Sequence, residues 1–238
     1  MPPLSSEEEN ESASSLAPCS SIKAAAEAKF QEEMPPAGQL FTCYTEICFD
    51  EVGCFQPWSF SMVYGLYKYS VCPEDPKTIG TTYIVFSAKG PPADPVSVDA
   101  IKPEDKIVVF IHGYANTYND SRFLQLKNKL LEVVDIVIMV DYARGSNPGI
   151  GSRTGLANFY QASVNAQVVG REIANFVSDL KRFNRIDPAN IHLMGYSLGS
   201  HVIHFAAEFA AQEYAFQFGR ATGKTFCWWC RSRPTMLG

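Results

Sequence analysis

The chain has 238 residues, 46% hydrophobic and 19% charged, enough to bury one sizeable core and too apolar for a chain disordered throughout. Its net charge is −5 and no basic block occurs, so it lacks the electrostatic footprint of a nucleic-acid binder. No run approaches the roughly 18 apolar residues of a membrane-crossing helix, and residues 11–30 are too polar for the apolar stretch of a signal peptide.

Residues 1–37 hold patches of Ser, Glu, Ala and Pro, including Glu7-Glu8-Glu9 and Pro35-Pro36, and read as a disordered leader. The seven cysteines divide into Cys19, Cys43, Cys48, Cys54 and Cys72 near the start and Cys227 and Cys230 near the end. Cys48 and Cys54 suit a small disulfide-closed loop in an oxidising compartment, the other readings being free thiols or a metal site; no histidine lies nearby to complete a zinc shell. Asn10-Glu11-Ser12 and Asn119-Asp120-Ser121 are glycosylation sequons, which have meaning only in a secreted chain.

Thr81 to Phe86 predicts a strand that Gly90-Pro91-Pro92 ends. Lys106–Ile111 and Asp135–Val140 are short, nearly all-apolar runs of the kind buried inside a parallel sheet, with a helical pattern over 121–132 between them. From Asn158 to Phe183, Ala162, Val164, Val168, Val169, Ile173, Phe176, Val177 and Leu180 recur at helical spacing. Asp187-Pro188 then leads into the run Ile191-His192-Leu193-Met194, and a helix over 200–218 follows. Strand, helix, strand, helix, strand is the signature of a mostly parallel sheet with helices on its faces. Residues 226–238 fit neither period and break in composition, which reads as an aberrant end or as a genuine alternative terminus.

Between that last strand and helix stands Gly195-Tyr196-Ser197-Leu198-Gly199, the form of a nucleophile elbow in which a sharp turn presents a serine hydroxyl. Acyl transfer also needs N–H groups aimed at the developing oxyanion. Leu198 supplies one, and Tyr114, in the loop that ends Phe110-Ile111-His112-Gly113-Tyr114, supplies the other. His112 then holds that loop rather than acting as a base. His201 and His204 lie on the helix leaving Ser197, where an imidazole must curl over its own first turn to reach the hydroxyl, and are read as packing or capping groups. Glu208 and Glu213, the carboxylates after the serine, move away along the same helix. Gly151-Ser152-Arg153-Thr154-Gly155 lacks the lysine and helix of a phosphate loop, and Cys227-Trp228-Trp229-Cys230 lacks the helix of a redox motif.

Several segments recur in one order and spacing: Cys48 to Phe55, Phe110 to Tyr114, Val140-Asp141-Tyr142, Gly151 to Gly155, Asn165 with Val169 to Ile173, Ile191 to His201, and Gly219-Arg220-Ala221-Thr222-Gly223. In these the chain resembles the pancreatic lipase family of animal lipases and phospholipases A1, over about residues 43–223. Tyr196 stands where the family usually has His, and Tyr114 and Tyr142 where it has Phe or Trp, changes that leave the backbone roles intact.

The resemblance implies an α/β-hydrolase fold over 38–225, a mostly parallel central sheet flanked by helices and incomplete on its C-terminal side. It implies a secreted carboxylic ester hydrolase that acts on lipids at a lipid–water interface, through an acyl-enzyme on Ser197 and with no metal or organic cofactor. In the family Gly-Arg-x-Thr-Gly precedes Leu-Asp-Pro, whose aspartate is the triad acid; here Lys224 and Thr225 take the Leu and Asp places, and the triad histidine and lid have no counterpart. The expectations are therefore weak or absent activity, an open edge on the 191–194 strand and no stable monomer. The alternative is a non-catalytic lipid-binding or interaction protein on a lipase scaffold.

Overall fold

A computed structural model describes residues 45–62, 67–149 and 156–224. The leader 1–37, the tail 226–238, the 151–155 loop and Thr225 lie outside the described residues.

The short strands β1 (Ile47–Phe49) and β2 (Gly53–Phe55) pair antiparallel with Cys48 opposite Cys54, and these two cysteines are disulfide-bonded, which decides among the three readings of the pair. Cys72 is disulfide-bonded as well. Strands β3 (Trp58–Met62) and β4 (Tyr67–Val71) form a second antiparallel pair. The chain continues through helix α1 (Pro76–Ile79), β5 (Thr82–Ser87), β6 (Ile107–Ile111), α2 (Ser121–Leu130), β7 (Ile136–Asp141), α3 (Ala143–Ser146), α4 (Leu156–Phe183), β8 (Ile191–Tyr196), α5 (Gly199–Glu213) and β9 (Arg220–Lys224).

The main sheet has the order β5-β7-β6-β8-β9, with β5 antiparallel and the other four strands parallel. Side chains alternate across it, as a pleat requires. Ile107, Val109, Ile111, Ile136, Ile138, Val140, Ile191 and Leu193 pack into one core with α4 and α5, while Val108, Phe110, Val137 and Met139 pack with Phe123 and Leu131 on the α2 side. Helices on both faces explain why the inner strands read as unbroken apolar runs.

Two expectations are corrected. The β8 edge is covered: β9 pairs with it in parallel from His192–Arg220 to Tyr196–Lys224, so among the described residues the edge strand is β9, whose five residues are all exposed. Helix α5 ends at Glu213 rather than 218, because Ala215 takes a φ of 52° and turns the chain out of the helix. The apolar residues beyond it pack on one another instead of continuing a helical stripe, Tyr214 stacked on Phe216 and Phe216 edge-on to Phe218.

Helix α4 crosses the sheet and clamps the disulfide loop. Arg171 donates to the carbonyls of Val52 and Cys54 at 2.7 and 3.0 Å and lies 4.0 Å from the Phe55 ring centre, and Asn175 donates to the Glu51 carbonyl. The next residue after Arg171, Glu172, accepts a 2.6 Å bond from the Thr81 hydroxyl. Burial pushes this carboxyl up to about 7, with the Thr81 bond opposing the shift and the charges of Glu51 and Asp75 adding to it.

Ionised Glu172 is therefore less favoured in the folded chain than in the unfolded one, where glutamate titrates near about 4.3. Stability associated with this group is highest below that value and falls as pH rises through 7. Glu172→Gln is expected to exceed the parent in stability at pH 8 by up to about 3 kcal/mol and to match it near pH 4, read from urea unfolding at the two pH values.

Candidate active site

Ser197 sits at the turn between β8 and α5 with φ 52°, a left-handed conformation that few residues other than glycine adopt. Its backbone is held on both sides. The Ser197 N–H donates to the Lys224 carbonyl at 2.8 Å, and its carbonyl accepts the Ser200 N–H at 2.9 Å. Leu198 caps α5, its carbonyl accepting from the His201 and Val202 N–H groups. The half-buried Ser197 hydroxyl makes no hydrogen bond among the described residues.

The flanking glycines allow this turn because there is no room for a side chain. A Cβ on Gly199 would run into the carbonyl oxygens of Ile111 and His112, and one on Gly195 would lie 2.5 Å from the Gly199 carbonyl. Helix α5 thus begins hard against the end of β6. The loop after β6 touches the turn from the other side: a Cβ on Gly113 would lie 2.9 Å from the Tyr196 carbonyl and 3.0 Å from Ser197 Cβ. The two motifs read separately in sequence, 110–114 and 195–199, are therefore in direct contact.

His112 is wholly buried and spends both ring nitrogens on this loop. Nδ1 lies 3.0 Å from the Gly113 carbonyl, and Nε2 lies 3.0 Å from Asp141 Oδ1 and 3.2 Å from the Tyr142 N–H. Tyr142 stacks on the imidazole at 4.3 Å and donates its hydroxyl to the His112 carbonyl at 2.7 Å. Burial, and after it the Asp141 charge, raise the Tyr142 phenol well above its ordinary value, so it remains a donor. No ring nitrogen of His112 is left for Ser197, in keeping with a loop-holding histidine.

The sequence reading missed what lies beneath Tyr114. Its ring packs edge-on to Phe159 at 5.2 Å and its hydroxyl accepts from Asn158 Nδ2 at 3.3 Å. Asn158, Gln161 and Asn165 form a fully buried polar stripe on α4. Asn158 accepts the Gly149 N–H and donates to Asn147; Asn165 donates to Glu74 Oε2 at 2.7 Å and to the Gly145 carbonyl at 3.1 Å. Glu74 pairs in turn with Arg144. The signal was present as polar residues at positions i, i+3 and i+7 on an otherwise apolar helix, and the apolar period drew the reading instead.

Other sequence-derived candidates stand apart from Ser197. His201 makes no hydrogen bond to it, and burial together with nearby His204 lowers the His201 pKa. His204 is exposed and lies 3.9 Å from Glu208. A polar cleft lined by Glu51, Asp75 and Lys77 lies beside the Cys48–Cys54 loop, with no wall from the 195–199 turn. Glu46 approaches the two sulfurs, but their disulfide leaves no thiolate to bind a metal.

A mostly parallel sheet between helix layers, with a left-handed serine at the strand-to-helix turn and a glycine loop against it, defines an α/β-hydrolase fold. The Lipase family model matches residues 45–225, and the chain belongs to that family. Inactive pancreatic lipase-related protein 1 of Canis lupus familiaris is 28% identical over 66% of this chain and 34% of its own length. Pancreatic triacylglycerol lipase of Myocastor coypus is 31% identical over 75% of this chain and 38% of its own. The chain thus spans little more than a third of these curated relatives. Among solved structures, a cold-adapted esterase from an Arctic intertidal metagenomic library is 15% identical with a TM-score of 0.40, covering 76% of this chain and 64% of that one.

Relief of the left-handed φ predicts that Ser197→Gly stabilises the chain by about 1 kcal/mol. Gly199→Ala, forced against two carbonyls, is expected to cost about 1–3 kcal/mol. Urea midpoints of the two variants should therefore move in opposite directions.

Proposed function

We propose that this chain carries the serine nucleophile of a secreted carboxylic ester hydrolase that acts on lipids, of the triacylglycerol lipase or phospholipase A1 type. Ser197 Oγ gives its proton to a water molecule as it bonds to the ester carbonyl carbon, and the C=O electron pair moves onto the carbonyl oxygen. The N–H groups of Leu198 and Tyr114 hold the tetrahedral oxygen; its collapse breaks the C–O bond to the leaving oxygen, which takes a proton from water to leave as the alcohol, and a second water then hydrolyses the acyl ester on Ser197. The observation that carries this reading is the contact between the loop at Gly113, one residue before Tyr114, and the left-handed Ser197 turn. Support also comes from the family itself and from a disulfide that suits an extracellular protein.

A second reading is favoured by a specific feature: among the described residues no carboxylate and no imidazole hydrogen-bonds to Ser197, and Thr225 stands in the acid place. On that reading the protein binds a lipid or a partner without turnover, and one similar relative carries the word inactive in its name.

A fluorophosphonate probe separates the two. Labelling of the full chain that disappears in Ser197→Ala supports the hydrolase, and residual catalysis from an oxyanion hole without its triad is about 10³–10⁴-fold over water. Absent labelling, with a fluorescent fatty acid still bound by both proteins, supports the binding protein and overturns the hydrolase.

A further inference from the structure

The sequon Asn119-Asp120-Ser121 lies where the loop after β6 enters α2. Asn119 and Ser121 are both exposed. The Thr117 hydroxyl donates to Asn119 Oδ1, and the Asn119 N–H donates back to Thr117 Oγ1 at 3.1 Å, a local turn that orients the amide. That leaves Asn119 Nδ2, the atom a sugar would take, donating to nothing among the described residues. A bonded Cys48–Cys54 pair and a bonded Cys72 mark a chain that folds where disulfides form, the compartment in which such sequons are used.

We propose that Asn119 is an N-glycosylation site. The donor is a polyisoprenyl diphosphate oligosaccharide. Asn119 Nδ2 bonds to C1 of its reducing-end sugar, the C1–O bond to the diphosphate breaks with its electron pair leaving on the diphosphate, and the displaced amide proton ends there too. Ser121 is the first residue of α2, so transfer precedes closure of that turn. The location has a consequence for the site. Helix α2 starts at the C-terminal end of β6, the end of the sheet that carries Ser197, and Arg122 lies 5.0 Å over the ring of Tyr196. A branched sugar on Asn119 therefore flanks the Tyr196 side of the turn and extends into solvent, without displacing any packed group.

The test directs the full chain into the secretory pathway of cultured animal cells with an added leader. Peptide N-glycosidase is expected to increase gel mobility and to leave aspartate at position 119 in the tryptic peptide that ends at Arg122. Asn119→Gln and Ser121→Ala should each abolish that signal, Ser121→Thr should keep it, and Asn10→Gln, in the other sequon, should leave it unchanged. An unmodified Asn119 peptide from secreted protein with Cys48 and Cys54 bonded overturns the proposal. The inference is independent of the role of Ser197: a chain that fails to label with fluorophosphonate still carries the glycan.

Discussion

The first turn of α5 lies against the carbonyls that end β6, and that closeness organises everything around Ser197. Only a residue without a side chain fits at 199, so the helix drops onto the sheet and the chain must double back sharply from β8 to reach it. The double-back is taken up at one residue, Ser197, in a conformation L-amino acids disfavour. A serine held there has its hydroxyl raised out of the ladder and away from the local hydrogen bonds that usually occupy such groups.

The loop facing the turn is fixed from behind by groups on β7 and α4. His112, Asp141 and Tyr142 tie it to the end of β7, and Asn158 holds the Tyr114 hydroxyl from α4. Asn165, Glu74 and Arg144 continue this hydrogen-bonded system toward α3 and the segment after β4. Buried polar groups of this kind confer rigidity when each finds its partner, and a lost partner leaves another unsatisfied in a low-dielectric interior. The loop is thus positioned by a lattice of bonds rather than by apolar packing alone.

How far the sequence disclosed this follows from burial. Strands β6, β7 and β8 are covered on both faces and were legible as apolar runs, and α4 and α5 were legible from their period. Strand β9 was invisible as a strand, since Arg220-Ala221-Thr222-Gly223-Lys224 has one neighbour among the described residues, full exposure and no apolar alternation. The antiparallel sense of β5 depends on pairing with β7, about fifty residues later, and no local pattern encodes it. Three- and four-residue elements such as β1, β2, α1 and α3 are too short to show a period. Within the site, the turns at 110–114 and 195–199 were legible from their glycine spacing, whereas the Asn158–Gln161–Asn165 stripe acquires meaning only when the loops it serves are in place.

The bond from the Ser197 N–H to the Lys224 carbonyl bears on how this protein is made. On a ribosome, β8 and α5 emerge well before β9, so a nascent chain has its serine turn without the partner that anchors the amide. Until residue 224 clears the exit tunnel, β8 also has a bare flank that another nascent chain is able to pair with. Maturation of this corner is set by the arrival of five exposed residues on the outside of the sheet, so the delay between the emergence of β8 and that of β9 governs the interval in which the newborn molecule is most exposed to misassembly.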